Sequence, residues 1–117
     1  MAQRIIAIDQ STSSTKALLF DEQCKMLART NVDHKQYYPQ TGWVEHDAEE
    51  IYQNMIETIR QLRSSVVDFG SANYSLCLTN QRETAVVWNK ATGKPIANAV
   101  VWQDTREIGR ASCRERV

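Results

Sequence analysis

The sequence predicts an α/β chain whose elements follow the order β-β-β-α-β around a mixed sheet. Three observations carry that prediction. Short apolar runs with turn-length links open the chain, one amphipathic helical stripe follows, and another apolar run comes after the stripe.

Residues 4–9 (RIIAID) form an apolar run ending at an acid, as expected of a buried strand. The hydroxyl-rich run 10–14 comes next, and residues 15–21 (TKALLFD) read as a second strand. A turn over residues 21–25 leads to a third, weaker strand around residues 26–32. Links this short favour antiparallel hairpins. Residues 37–46 read as a loop, marked by Pro39, Gly42 and the adjacent Tyr37 and Tyr38. Asp47 then opens a helix, with Glu50 three residues later completing a capping-box-like pair. Ile51, Met55, Ile59, Leu62 and Val66 recur at three- and four-residue steps, a stripe that reads as core packing. Gly70 ends that segment. Residues 74–78 predict a strand parallel to the first after the helical crossover. Residues 84–88 and 97–102 bracket a Thr-Gly-Lys-Pro turn, the pattern of a hairpin. The order β-β-β-α-β is that of the opening of the ribonuclease-H-like fold used by actin-like ATPases, which by itself says little about function.

Composition narrows the class. Hydrophobic residues make up 42% and charged residues 24% of the 117, which is globular rather than disordered. Fourteen basic residues balance fourteen acidic ones, so neither a nucleic-acid partner nor a membrane-surface role is predicted. No apolar run reaches the about 18 residues of a membrane span. Cys24, Cys77 and Cys113 are odd in number and widely spaced, which excludes a zinc ribbon and speaks against a disulfide framework. A reduced, cytoplasmic protein is the expectation. Neither GxxxxGK[ST] nor GxGxxG occurs, which excludes a P-loop or Rossmann site in this segment. His34 and His46 have no neighbour at metal-ligand spacing and read as loop or capping residues.

The composition changes abruptly at residues 107–117 (EIGRASCRERV), where three arginines and two glutamates occur with no strand or helix period. The string resembles a translated sequencing adapter. Residues 1–106 are therefore expected to form part of a domain, and 107–117 a non-native tail that gives Cys113 no functional weight.

Two polar runs could do chemistry, because each follows an apolar strand and so sits at the end of a rigid element. The first is DQSTSSTK, residues 9–16. Its hydroxyls and backbone N–H groups could donate to phosphate oxygens. Asp9 could bind Mg²⁺ directly or through water, and Lys16 could supply positive charge. The run equally suits an ordinary polar hairpin. The second is TNQRET, residues 79–84, where Arg82 could donate to, and Glu83 accept from, neighbouring hydroxyls of a polyol. Alone, it also suits a structural ion pair or solvated charges.

Together the pieces IAIDQSTSSTKALLFD, YYPQTGWVEHDAEEIY and TNQRETAVVWNKATGKPIANAVVWQDTR, in that order, resemble the start of the FGGY family of carbohydrate kinases, and its glycerol-phosphorylating members most closely. The resemblance runs from Ile5 to Arg106. It implies transfer of the γ-phosphate of ATP, with Mg²⁺, to a hydroxyl of glycerol or a related polyol. It implies that Thr12, Ser13 and Ser14 hold the nucleotide phosphates, with Lys16 where the family usually has a nucleotide-contacting arginine. Asp9 matches the acid near the metal. Arg82 and Glu83 match the pair that grips glycerol hydroxyls, and Trp102 an aromatic residue against the substrate's carbon side. Three positions depart from the family pattern: Ser11 stands for a glycine, Ser13 for a threonine and Lys16 for an arginine. Serine at 11 gives up backbone freedom, and lysine keeps the charge but loses the planar fork. The family is several times longer, and its second domain and catalytic aspartate would lie beyond Arg106. A homo-oligomer of the full-length protein stays open.

Two other classes compete. An actin-like nucleotide-binding regulatory module has no need of a polyol clamp such as TNQRET. A ribonuclease-H-like nuclease needs clustered carboxylates for two metals, and after Asp9 none appears at a comparable strand end.

Overall fold

The computed structural model describes residues 1–105, so Arg106 and the expected tail at 107–117 lie outside the described residues. In chain order the elements are β1 (Ala2–Gln10), β2 (Ser14–Phe20), β3 (Met26–Asp33), β4 (Glu45–His46), α1 (Ala48–Ser65), β5 (Ala72–Thr79) and β6 (Ala99–Val100). They make two compact units, one of residues 1–34 and 51–80, the other of residues 35–50 and the chain from Gln81 onward.

The first unit carries a four-stranded sheet in the order β3-β2-β1-β5. The two hairpins β1–β2 and β2–β3 are antiparallel, and β5 returns parallel to β1, as the sequence predicts. Period-two alternation sends Ile6 and Ile8 of β1, with Ala17 and Leu19 of β2, to one face. Leu62 of α1 completes that buried core, with Met55, Ile59 and Val66 of the predicted stripe packed against it. Thr30 on β3 donates to the Thr58 carbonyl of α1 at 2.9 Å, tying the sheet to a buried point of the helix.

Only half of the capping box forms. Asp47 Oδ1 accepts the backbone N–H groups of Glu49 and Glu50 at 3.0 and 3.4 Å, satisfying two otherwise orphaned donors. The Glu50 carboxylate accepts the Lys35 N–H at 3.1 Å instead of reaching back. The helix stops at Ser65, ahead of the predicted Gly70. Ser64 and Ser65 turn their hydroxyls onto the carbonyls of Arg60 and Gln61, a competition with continued helix. A short 3₁₀ turn, Phe69–Ser71, then feeds β5.

The second unit holds the antiparallel pair β4–β6, with Glu45 opposite Val100 and His46 opposite Ala99. Residues 37–46 are thus not wholly loop: they end in a strand, and Tyr37 bridges Glu45 as well. The predicted hairpin is present as single bridges, Ala85 with Val100 and Trp88 with Pro95, rather than two continuous strands. Asn89 builds its tip, its side-chain Oδ1 accepting the N–H groups of Ala91 and Thr92. Val44, Ala99 and Val101 are buried.

Candidate functional site

In the first unit, the run after β1 folds as a tight hairpin turn. Ser11 donates both its N–H and its hydroxyl to the Ser14 carbonyl, each at 2.9 Å, so its side chain does locally what a glycine in its place could not. Ser13 is exposed and Thr12 half-buried, whereas Ser14 is buried as the first residue of β2. The nucleotide-binding expectation thus falls on side chains of unequal access. Asp9 lies opposite Lys16 on β2 and opposite Thr79 on β5. Because Ile8 and Ala17, one step back, face the core, Asp9 and Lys16 share the other face of the sheet. Thr79 Oγ1 donates to Asp9 Oδ1 at 3.1 Å, fixing one oxygen of the carboxylate and leaving acceptor capacity on the group.

Mg²⁺ keeps several waters and needs only one or two protein carboxylates when phosphates complete its shell. No cluster of three or more metal-ligating side chains occurs among the described residues, so Asp9 could hold such an ion only with ligand oxygens and water.

In the second unit, Arg82 and Glu83 are exposed, as the clamp expectation requires. Glu83 has φ 64°, the left-handed region that non-glycine residues enter only at a cost. Its neighbours are tied down. Thr84 donates its hydroxyl to Gln81 Oε1 at 3.1 Å, and the Gln81 amide nitrogen lies 3.2 Å from Nδ1 of His46. The Trp102 N–H reaches Thr84 Oγ1 at 3.3 Å, and the Trp102 residue is half exposed. Asp104 is buried and accepts the Val44 N–H at 2.7 Å.

His46, read from sequence as a loop or capping residue, is instead fully buried in β4. The alternation Trp43, Val44, Glu45, His46 carried the signal, since Val44 and His46 are the inward pair. The roles of Thr79, Gln81 and Thr84 had no such signal. Polar residues flanking a charged pair look alike in sequence whether or not they bond one another.

The model of the FGGY family of carbohydrate kinases, N-terminal domain, matches residues 4–116. The chain belongs to that family. This FGGY domain is 49% identical over 111 residues to "Glycerol kinase 1" of Thermotoga maritima, covering 95% of the chain and 22% of that relative. It is 48% identical over 102 residues to a glycerol kinase of Corynebacterium glutamicum, covering 87% and 20%. Among solved structures, glycerol kinase of Plasmodium falciparum with ADP superposes with a TM-score of 0.81 at 37% identity, over 97% of the chain and 23% of that protein. Ligand-bound xylulose kinase of Lactobacillus acidophilus reaches a TM-score of 0.83 at 18% identity, over 97% and 22%, a likeness of fold. The FGGY chain therefore spans about a fifth of the length of the relatives it matches. Its fold is that of these actin-like kinases, and the β-β-β-α-β reading is borne out. No described helix is long and apolar enough to cross a membrane.

Proposed function

We propose that this chain is the opening part of the substrate domain of an ATP-dependent kinase that phosphorylates a hydroxyl of glycerol or a closely related polyol. The carrying observation is the exposed Arg82–Glu83 pair on a left-handed turn, in a chain 49% identical over 111 residues to a relative called a glycerol kinase. A guanidinium beside a carboxylate can donate to one hydroxyl and accept from the next, which is the pattern a vicinal diol presents. The half-exposed Trp102 offers an apolar surface for the carbon side of such a substrate.

Phosphoryl transfer needs a placed hydroxyl, neutralised phosphate charge and a base. Mg²⁺-ATP, when bound, supplies the phosphoryl group. Thr12 and Ser13 donate to phosphate oxygens, Ser14 contributes chiefly through its backbone, and Lys16 adds positive charge. Asp9, its carboxylate oriented by the Thr79 hydroxyl, would hold the metal. The base lies in the part of the kinase beyond this segment. Residues 1–106 are then a partial substrate domain, and residues 107–117, with their aperiodic composition, a non-native tail. The enzyme belongs in a reducing cytoplasm, which agrees with Cys24 and Cys77 being exposed and unpaired. No observation favours the alternative of a regulatory module without kinase activity.

The test is Glu83→Gln in the full-length kinase. Losing a charge-assisted hydrogen bond costs roughly 1.5–3 kcal/mol, so glycerol kcat/KM should fall about ten- to a hundredfold with little change in the KM for ATP. Unchanged glycerol kinetics would remove the clamp from the account.

A further inference from the structure

We propose that His46, Gln81 and Thr84 are positioning residues that lock the Arg82–Glu83 turn and the Trp102 backbone into one arrangement, an inference that rests on the polyol-clamp reading of that turn. Gln81 and Thr84 stand on either side of the charged pair, so the 3.1 Å bond between their side chains closes the turn across it. The donors run in one direction. The Trp102 N–H donates to Thr84 Oγ1, and the Thr84 hydroxyl donates onward to Gln81 Oε1. With that oxygen turned to Thr84, the Gln81 amide nitrogen lies 3.2 Å from Nδ1 of His46, a bond that forms with Nδ1 as acceptor in the tautomer carrying its proton on Nε2.

Both ends of the network are anchored in the same pair of strands. His46 is fully buried in β4, where it pairs with Ala99 of β6. Trp102 lies two residues beyond β6, after the buried Val101. The network thus ties an exposed, functionally placed turn to a buried ladder instead of to solvent-facing loop. The left-handed Glu83 supplies the reason for such a device. A residue held at φ 64° persists only where its surroundings over-determine it, and the Gln81–Thr84 closure spans that residue. Positioning matters here because phosphoryl transfer rests on placement of the reacting groups together with electrostatic stabilisation, and the clamp governs the first of these.

The test uses the full-length kinase with steady-state kinetics in glycerol and in ATP, and with amide hydrogen exchange read at Trp102. Thr84→Val and Gln81→Leu, each of which removes a side chain that makes two bonds of the network, should each raise the glycerol KM about five- to tenfold, while the ATP KM moves less than about twofold. Trp102 amide exchange should speed up in Thr84→Val. Thr84→Ser, which keeps the hydroxyl, should recover most of the loss, and His46→Asn, which can accept at the Nδ1 position, should recover more than His46→Phe. Thr84→Ala replaces Thr84→Val if the latter does not fold. Wild-type glycerol KM in Thr84→Val and Gln81→Leu, in an enzyme where Glu83→Gln does raise it, overturns the positioning role and leaves the clamp standing. A Glu83→Gln enzyme with unchanged glycerol KM overturns both.

Discussion

Gly42 sits at φ 83°, and a Cβ built there would collide with Thr105 Oγ1. The Gly42 carbonyl also accepts the N–H of Thr105 at 2.8 Å and its hydroxyl at 3.0 Å, so the neighbour cannot simply withdraw. Gly42→Ala should therefore cost about 1–3 kcal/mol, from left-handed backbone and crowding together, seen as a lowered midpoint in thermal unfolding of the full-length protein. An unchanged midpoint would show that the turn relaxes freely. Arg4 and Asp68 make a second residue-scale case. Their 2.8 Å ion pair joins β1 to the segment before β5, and the Arg4 hydrogen bond holds the Asp68 carboxyl below its ordinary 3.8. A depressed carboxyl stabilises above its unfolded value and loses that contribution as pH falls through the folded one. Thermal midpoints of wild type and Asp68→Asn should thus differ near neutral pH and converge as pH falls well below 3.8. A gap that persists in acid would assign the effect to something other than charge. At this scale the sequence marks Arg82, Glu83 and Asp9 because charge at a strand end is conspicuous. It does not mark Gln81, Thr84 or Thr79, whose roles depend on which neighbours the fold delivers.

Periodicity decides which elements are legible. β1, β2, β3 and β5 and the helix are long enough for a period to show, and all appear in the predicted order, the helix ending earlier than predicted, at Ser65. β4 and β6 are two residues each, so although the alternation from Trp43 to His46 marks an inward face, their pairing and register are a long-range fact. β5 shows the limit from the other side. Its parallel placement follows from the helical crossover, yet nothing in ANYSLCLT tells that it ends the sheet. Leu76 and Leu78 lie opposite Ile6 and Ile8, on the core face, and stay 59% and 61% exposed. The strand carries neither charge nor proline, the usual protections of a sheet edge. The 117-residue chain alone should therefore self-associate, and Leu78→Lys should shift it toward monomer in size-exclusion chromatography. A clean wild-type monomer would show that the edge is protected after all.

At the scale of the whole molecule, the chain covers about a fifth of its relatives' length, and the chemistry proposed for it needs more than a fifth. Ligand sites commonly lie where domains meet and close, so on the proposed reading this part of the kinase offers contacts without catalysis. The most direct measurement is coupled ADP release with glycerol, run on the full-length kinase and on the 117-residue chain side by side. The account predicts glycerol-dependent turnover by the full-length protein and none by the chain alone. A full-length protein that binds ATP yet shows no polyol-dependent ADP release, or turnover by the isolated chain, would contradict it.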